Sequence, residues 1–241
     1  MCRHLAYLGP ALPLARLLYD APHSLERQSY APGDMRAGGT VNVDGYGVGW
    51  FPGPVRYRRA GTLWSDANLR ELASTEATAF LAAVRSATAG MPVADAACAP
   101  FADDKWLFSH NGRVDGWPYT VEGLAKTLDV TDLLTMDAPT DSALLWTVLR
   151  RRLETGKNPA QTLVELVREV TDAAPKSRLN FLLTNGKVLV GTTWTHALWV
   201  LEKGQSVTLA SEPLDDDPDW WEIPDRHVVT AVPSTVEVRP V

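Results

Sequence analysis

Two amphipathic segments stand next to each other in the middle of this chain, with strand-like sequence on both sides. In DSALLWTVLRRRL, Leu144, Leu145, Val148 and Leu149 share one helical face, and Asp141 or Ser142 stands where a cap is needed. In NPAQTLVELVREV, Asn158 takes the cap and Pro159 the first turn, while Leu163, Val164, Leu166, Val167 and Val170 form the buried stripe. Before this pair, VDGYGVGWF alternates Tyr46, Val48 and Trp50 with glycine, and TAFLAAVRSAT reads as a buried strand ending in a charge. KWLFSHNGRV reads as a strand running into an Asn-Gly turn. After the pair, RLNFLLTNGKVLVGTTW, ALWVLEKGQSVTLAS and HVVTAV read as strands, with turns at Asn185-Gly186 and Gly204. Strands, then helices, then strands is not the regular alternation of a doubly wound parallel sheet. The order predicts two antiparallel sheets with helices outside. No linker or internal repeat divides the chain, so residues 1–241 are expected to form one domain.

Composition narrows the function. The net charge is −6 with no basic block, which gives no electrostatic support to nucleic-acid or anionic-membrane binding. No apolar run approaches the ~20 residues of a membrane helix. LAYLGPALPLARLL is short, broken by Pro10 and Pro13, and lacks the flanks of a signal peptide. Two cysteines, Cys2 and Cys98, make no disulfide framework, and a cytoplasmic location is expected. His23, His196 and His227 do not fall at metal-ligand spacing, and DGYGVG lacks the strand–turn–helix context of a dinucleotide loop. Neither metal nor cofactor is therefore expected. Oligomeric state is left open.

Cys2 directly follows the initiator methionine, and a residue this small permits methionine removal. The mature chain would then start at residue 2, with thiol and free α-amine on one residue. An α-amine titrates near ~8 and a thiol near ~8.5, so one terminus supplies nucleophile and base together. A carbonyl attacked by that thiol needs donors for its oxyanion. SHNGRV offers the Asn111 amide and the Gly112 N–H, although the same pair also reads as a turn. Arg85, at the end of an apolar run, calls for an anion, either a substrate carboxylate or an internal acid. Asp141, at a helix start, is placed either to hold a substrate ammonium or to cap the helix.

Taken in order, Cys2, DGYGVGW, Arg85 with Thr88 in RSAT, HNG and TDS resemble the class II glutamine amidotransferases, which are N-terminal-nucleophile hydrolases. The resemblance spans most of the chain. It implies a four-layer αββα sandwich of the α+β class. It also implies that Cys2 attacks a γ-glutamyl carbonyl and that Asn111 and Gly112, after His110 in the HNG motif, form the oxyanion hole. By the same resemblance Arg85, with Thr88 nearby, holds the α-carboxylate, Asp141 holds the α-amine, and His110 belongs to the substrate-binding group. Ser86 stands where many relatives carry an aromatic residue.

MCRHLAYLG, SYAPGD, RSATAGMP, SRLNFLLTNG and ASEPLDDDPDWWEIPDRH further resemble the stand-alone hydrolases of ergothioneine biosynthesis. That resemblance implies a small-molecule substrate, the γ-glutamyl derivative of hercynylcysteine sulfoxide, and needs no ammonia-consuming second domain. The alternatives are a glutaminase that supplies ammonia to a separate partner, or a γ-glutamyl-binding module without catalysis. Hercynine carries a trimethylammonium group, which aromatic faces bind. Trp50, Trp64, Trp117, Trp220 and Trp221 are candidates for that surface, and Asp215, Asp216 and Asp217 for a long-range negative field. Arg3 and His4 flank the thiol and are placed to hold the pocket or tune it. Cys98 is expected to be a packed thiol.

Overall fold

In a computed structural model, which describes residues 2–36 and 41–241, the strands are β1 (Arg3–Pro13), β2 (Gly45–Trp50), β3 (Val55–Arg59), β4 (Glu76–Arg85), β5 (Phe101–Ala102), β6 (Leu107–Arg113) and β7 (Arg178–Thr184). They continue as β8 (Leu189–Thr192), β9 (Trp199–Lys203), β10 (Ser206–Ala210), β11 (Trp221–Glu222), β12 (His227–Val232) and β13 (Thr235–Pro240). Four short helices, α1 (Leu25–Tyr30), α2 (Ala67–Leu72), α3 (Glu122–Ala125) and α4 (Val130–Leu134), precede the two long ones, α5 (Asp141–Glu154) and α6 (Pro159–Ala173). One sheet has seven strands in the order β11-β9-β10-β1-β4-β2-β3, and the other has six in the order β13-β12-β8-β7-β6-β5. Every strand pairing is antiparallel.

The layering follows from the period of two along each strand. In β1, Leu5 and Tyr7 enter one apolar cluster while Ala6 and Leu8 enter another. In β4, Phe80, Ala82 and Val84 go one way and Ala79 and Leu81 the other. In β7, Leu179, Phe181 and Leu183 turn away from Leu182. Three cores result. Leu8, Leu81, Leu107, Leu182, Val200 and Leu209 fill the space between the sheets. The stripes of α5 and α6 cover the outer face of the six-stranded sheet, and Leu18, Leu25, Leu69, Leu214 and Trp220 cover that of the other. Three interfaces make four layers, helix–sheet–sheet–helix, the expected αββα sandwich. No described helix is long and apolar enough to cross a membrane.

The helices start as their sequences dictate, with one change. Asn158 accepts from Gln161 N–H at 3.1 Å, with Pro159 in the first turn of α6. At α5 the cap is Thr140, whose Oγ1 accepts from Ala143 N–H at 3.2 Å; neither Asp141 nor Ser142 is the cap residue. Asp141 is thereby released for other work.

One local reading is corrected. Asn111-Gly112 is not a turn: both residues lie inside β6, opposite Asn180 and Leu179, and the pairing continues to Arg113 opposite Arg178. Asn185-Gly186 is a turn, with Gly186 at φ 79°. LAYLGPALP, the run too short for a membrane helix, belongs to β1, a strand inside the seven-stranded sheet. Its ladder with β4 is irregular between Leu8 and Leu12, and its pairing with β10 covers only Leu5 to Leu8. Pro10 falls in this gap, where its missing N–H costs no ladder bond.

Candidate active site

The start of β1 places Cys2. Arg3 pairs with Val84, so Cys2 lies beside the end of β4, and its Sγ is 3.8 Å from the Ser86 carbonyl oxygen. The facing sheet brings up β6. Ser211 joins the two: its Oγ accepts from His4 N–H at 2.9 Å and lies 3.4 Å from Asn111 Nδ2. His4 Nδ1 meets Ser109 Oγ at 3.1 Å and makes a second bridge between the sheets. Met1 lies outside the described residues.

Two cavities meet at Cys2, Ser86, Thr88 and Gly112. The first is tight, about 30 Å³, and adds Arg85, His110, Asp141 and Ser142 to the lining. The second, about 240 Å³, adds Asn111, Arg113, Arg178 and His196. The fold thus gathers Cys2, Arg85, Thr88, His110, Gly112 and Asp141 around one cavity, and Asn111 borders the second. Arg113, Arg178, His196 and Ser211 join them without having been singled out for the site from the sequence. Arg178 carried one signal, a charge opening a buried strand.

Arg85 donates from Nη1 to the Pro92 carbonyl at 2.9 Å and has no ion pair among the described residues. The internal acid that would explain it structurally is missing from that set. Asp141 is buried, its Oδ2 accepting from Val114 N–H at 2.8 Å and its Oδ1 from Ser142 N–H at 2.7 Å. It too has no cation within ion-pair distance among the described residues. An unpaired cation and an unpaired anion therefore line one cavity.

His110 has a defined tautomer. Nε2 lies 2.8 Å from the Arg178 carbonyl, which only accepts, so Nε2 carries the proton and Nδ1 accepts from Ser142 Oγ at 2.9 Å. Burial holds its pKa below the ordinary value. Gly112 is required by close approach: a Cβ there would lie 1.9 Å from the Arg178 carbonyl oxygen. Asn111 is buried, and its Oδ1 has no partner among the described residues. Cys98 is a packed thiol, donating to the Arg59 carbonyl at 3.3 Å, with burial pushing its pKa up to about 11.

Burial pushes the pKa of His4 and of His196 down to about 3, against 6.5 ordinarily. Below pH 6.5 the unfolded chain takes up protons that these folded imidazoles refuse, so stability is whole above that pH and declines toward pH 3. Urea titrations should show the unfolding midpoint falling between pH 7.5 and pH 5, with a shallower fall in His4→Asn. A flat midpoint across that range would contradict neutral burial.

The tryptophans scatter. Trp50 is in the core and Trp64 packs edge-on against Tyr30. Trp117 lines a hollow of about 290 Å³ with Asp115, which shares Thr88, Ala89 and Arg113 with the second cavity at Cys2. Trp220 lines a cavity of about 640 Å³ with Trp199 and Asp215, Asp216 and Asp217. That cavity includes neither Cys2 nor Arg85 nor Asp141, so its size does not make it the reaction site. Trp221 is exposed on β11.

A thiol at the head of β1, between the sheets of an αββα sandwich, defines the N-terminal-nucleophile class of hydrolase. The chain belongs, within that class, to the class-II glutamine amidotransferases, whose family model matches residues 24–206. It is 41% identical, over 100% of both chains, to the gamma-glutamyl-hercynylcysteine sulfoxide hydrolase of Mycolicibacterium smegmatis. It is 40% identical to the protein of that name from Mycobacterium tuberculosis H37Rv, over 95% of this chain and 92% of the other. Among solved structures, a glutamine aminotransferase class-II domain protein from Silicibacter pomeroyi superposes with TM-score 0.71 at 22% identity, covering 99% of each chain. The glutamine phosphoribosylpyrophosphate amidotransferase of B. subtilis gives TM-score 0.67 at 13% identity, over 99% of this chain and 49% of that one. These two likenesses concern the fold alone.

Proposed function

We propose that this protein hydrolyses the γ-glutamyl amide of γ-glutamyl-hercynylcysteine sulfoxide, releasing glutamate and hercynylcysteine sulfoxide. The observation that carries the reading is the 41% identity over the full length of both chains to a hydrolase of that name. The unpaired Arg85 and Asp141 beside Cys2 support it, because a glutamyl group ends in a carboxylate and an ammonium. The hollow of Asp115 and Trp117 next to the site supports the betaine, since a trimethylammonium group is held by an aromatic face and a nearby acid.

The steps follow from residue chemistry. Met1 is removed, and the mature chain begins at Cys2 within a single domain. Arg85 grips the α-carboxylate and Asp141 the α-ammonium, which aligns the amide with the thiol. The tight first cavity admits the glutamyl group as the irregular segment 86–94 after β4 gives way. The Cys2 sulfur bonds to the γ-carbon while its α-amine takes the thiol proton. Gly112 N–H and Asn111 stabilise the oxyanion. For this Asn111 turns its amide over, so that Oδ1 accepts from Ser211 Oγ and Nδ2 becomes free to donate. The α-ammonium then gives its proton to the departing nitrogen, and the C–N bond breaks. Water, deprotonated by the same amine, opens the thioester to glutamate. His110, held by Ser142 and the Arg178 carbonyl, fixes the wall between Gly112 and Asp141 and so positions the bound glutamyl group. Thr88 borders both cavities beside the scissile bond. A working thiol with a second free thiol in Cys98 suits a reducing compartment, the cytoplasm.

The test is a competition between amides. With γ-glutamyl-hercynylcysteine sulfoxide, trimmed protein should release glutamate without ammonia, at a kcat/KM about 100-fold above that for glutamine. A preference for glutamine would instead support the ammonia-supplying role.

A further inference from the structure

We propose that the cavity of Arg113, Arg178 and His196 receives the α-carboxylate of the departing amino acid, so that this site selects γ-glutamyl amino acids over simple γ-glutamyl amides. The inference rests on the reading that Cys2 opens a γ-glutamyl amide. It adds a subsite on the far side of the scissile bond.

The position of the cavity follows from the two spaces that meet at Cys2, Ser86, Thr88 and Gly112. Arg85 and Asp141 line the first, which takes the glutamyl end. The second, about 240 Å³, is left for whatever is attached to the amide nitrogen. In an amino-acid leaving group the carboxylate is carried on the carbon bonded to that nitrogen. It must therefore lie within a few bond lengths of the sulfur.

The lining suits that anion. The Arg178 side chain makes no hydrogen bond or ion pair among the described residues, and its Nε is buried without a partner. Its own carbonyl stacks over Gly112 and accepts from His110, which fixes the stem beside the oxyanion donors. Among the described residues Arg113 approaches no acid closer than Asp115, at 3.7 Å. His196 is 2% exposed, and both its ring nitrogens lack partners among the described residues. Burial and the neighbouring Arg178 charge keep that ring neutral, so it offers one N–H donor to a ligand. Burial and the neighbouring Arg113 charge both weaken the Arg178 proton's hold. Buried polar groups are ordinarily satisfied, and two adjacent guanidiniums repel. A carboxylate placed between Arg178 and His196 relieves both conditions at once, through the bidentate geometry a guanidinium provides. Ammonia, the leaving group of glutamine, leaves the whole cluster unpaired.

Two substrates that differ only in this carboxylate test the assignment: γ-glutamylcysteine and γ-glutamylcysteamine. Full-length protein trimmed of Met1 should favour γ-glutamylcysteine about 100-fold in kcat/KM. Arg178→Gln should bring that ratio within about 3-fold of unity. Arg178→Lys, which keeps charge but loses the fork, should fall between. Parallel loss on both substrates in Arg178→Gln would overturn the proposal and make Arg178 a general electrostatic support for the reaction. Should that variant fail to fold, the wild-type ratio decides: a value near one overturns the proposal, and a strong preference for the carboxylate supports it. Wild-type protein that cleaves neither compound would overturn the proposal, and cleavage of γ-glutamyl-hercynylcysteine sulfoxide by the same sample decides whether the γ-glutamyl reading falls with it. Equal cleavage of both would leave that reading standing and remove only the subsite.

Discussion

Cys2→Ala, prepared without Met1, should lose at least about 10⁴-fold in γ-glutamyl hydrolysis, the scale on which covalent catalysis fails when its nucleophile is deleted. The variant isolates chemistry from folding. The Cys2 side chain is only half-buried, and its one polar contact among the described residues, 3.8 Å to the Ser86 carbonyl, is too long to contribute much stability. Thermal midpoints of variant and parent should therefore agree within about 3 °C. Parent protein mixed with substrate and quenched should show a glutamyl adduct on the N-terminal peptide by intact mass, and Cys2→Ala should show none. Protein that keeps Met1 has its Cys2 nitrogen tied up in a peptide bond and loses its base, so it should match the alanine variant in rate although the thiol is present. Activity undiminished in trimmed Cys2→Ala would end the thiol mechanism. Activity undiminished with Met1 retained would end only the role of the amine.

What the sequence makes legible depends on whether a feature is local. The stripes of α5 and α6 are local, and every residue named from them packs as expected, with Val164 partly buried at the edge. The sequence offers Asp141 or Ser142 as the cap of α5 and the fold uses Thr140, because all three are capable acceptors and only the fold gives Asp141 another partner, Val114 N–H. Asn111-Gly112 and Asn185-Gly186 carry the same dipeptide. One continues a strand because β7 pairs with it as far as Arg178, and the other reverses the chain at a left-handed glycine. Nothing within a few residues distinguishes them. The first strand carries Pro10 where its ladder is irregular and Pro13 at its last paired position, so its prolines mask a strand that the sheet accommodates. At the site, Cys2, Arg85, Gly112 and Asp141 stand in short motifs and could be marked before any coordinates. Arg178 and His196 reach Cys2 only because β6 and β7 pair through Gly112 and Leu179 and because the second sheet lies over the first. Such a juxtaposition leaves no motif.

Arg85→Gln should lower kcat/KM for γ-glutamyl substrates by about 10³-fold, the loss expected when one partner of a desolvated charge pair is cut away. Arg85 is a cleaner probe of the glutamyl clamp than Asp141. The Asp141 carboxylate also holds the N–H groups of Val114 and Ser142, and an asparagine there would present an NH₂ to one of two donors and loosen the strand end behind Gly112. Arg85, by contrast, gives only one hydrogen bond, to the Pro92 carbonyl, and has no ion pair among the described residues to disturb. Its loss should therefore fall on substrate rather than on the fold. The control is an analogue without the α-carboxylate, a 4-aminobutanoyl amide with the same leaving group. Parent protein should handle this analogue about 10³-fold worse than the γ-glutamyl compound, and Arg85→Gln should no longer distinguish the two. If the variant still prefers the carboxylate, some other cation holds it, and Arg178 is the first to examine. The two arginines would then have exchanged ends of the substrate, with Asp141 left on the wrong side of the thiol for the α-ammonium. The arrangement of one acid and one arginine in the first cavity, and two arginines in the second, fits a substrate held by its amino-acid head on one side and by an anionic leaving group on the other.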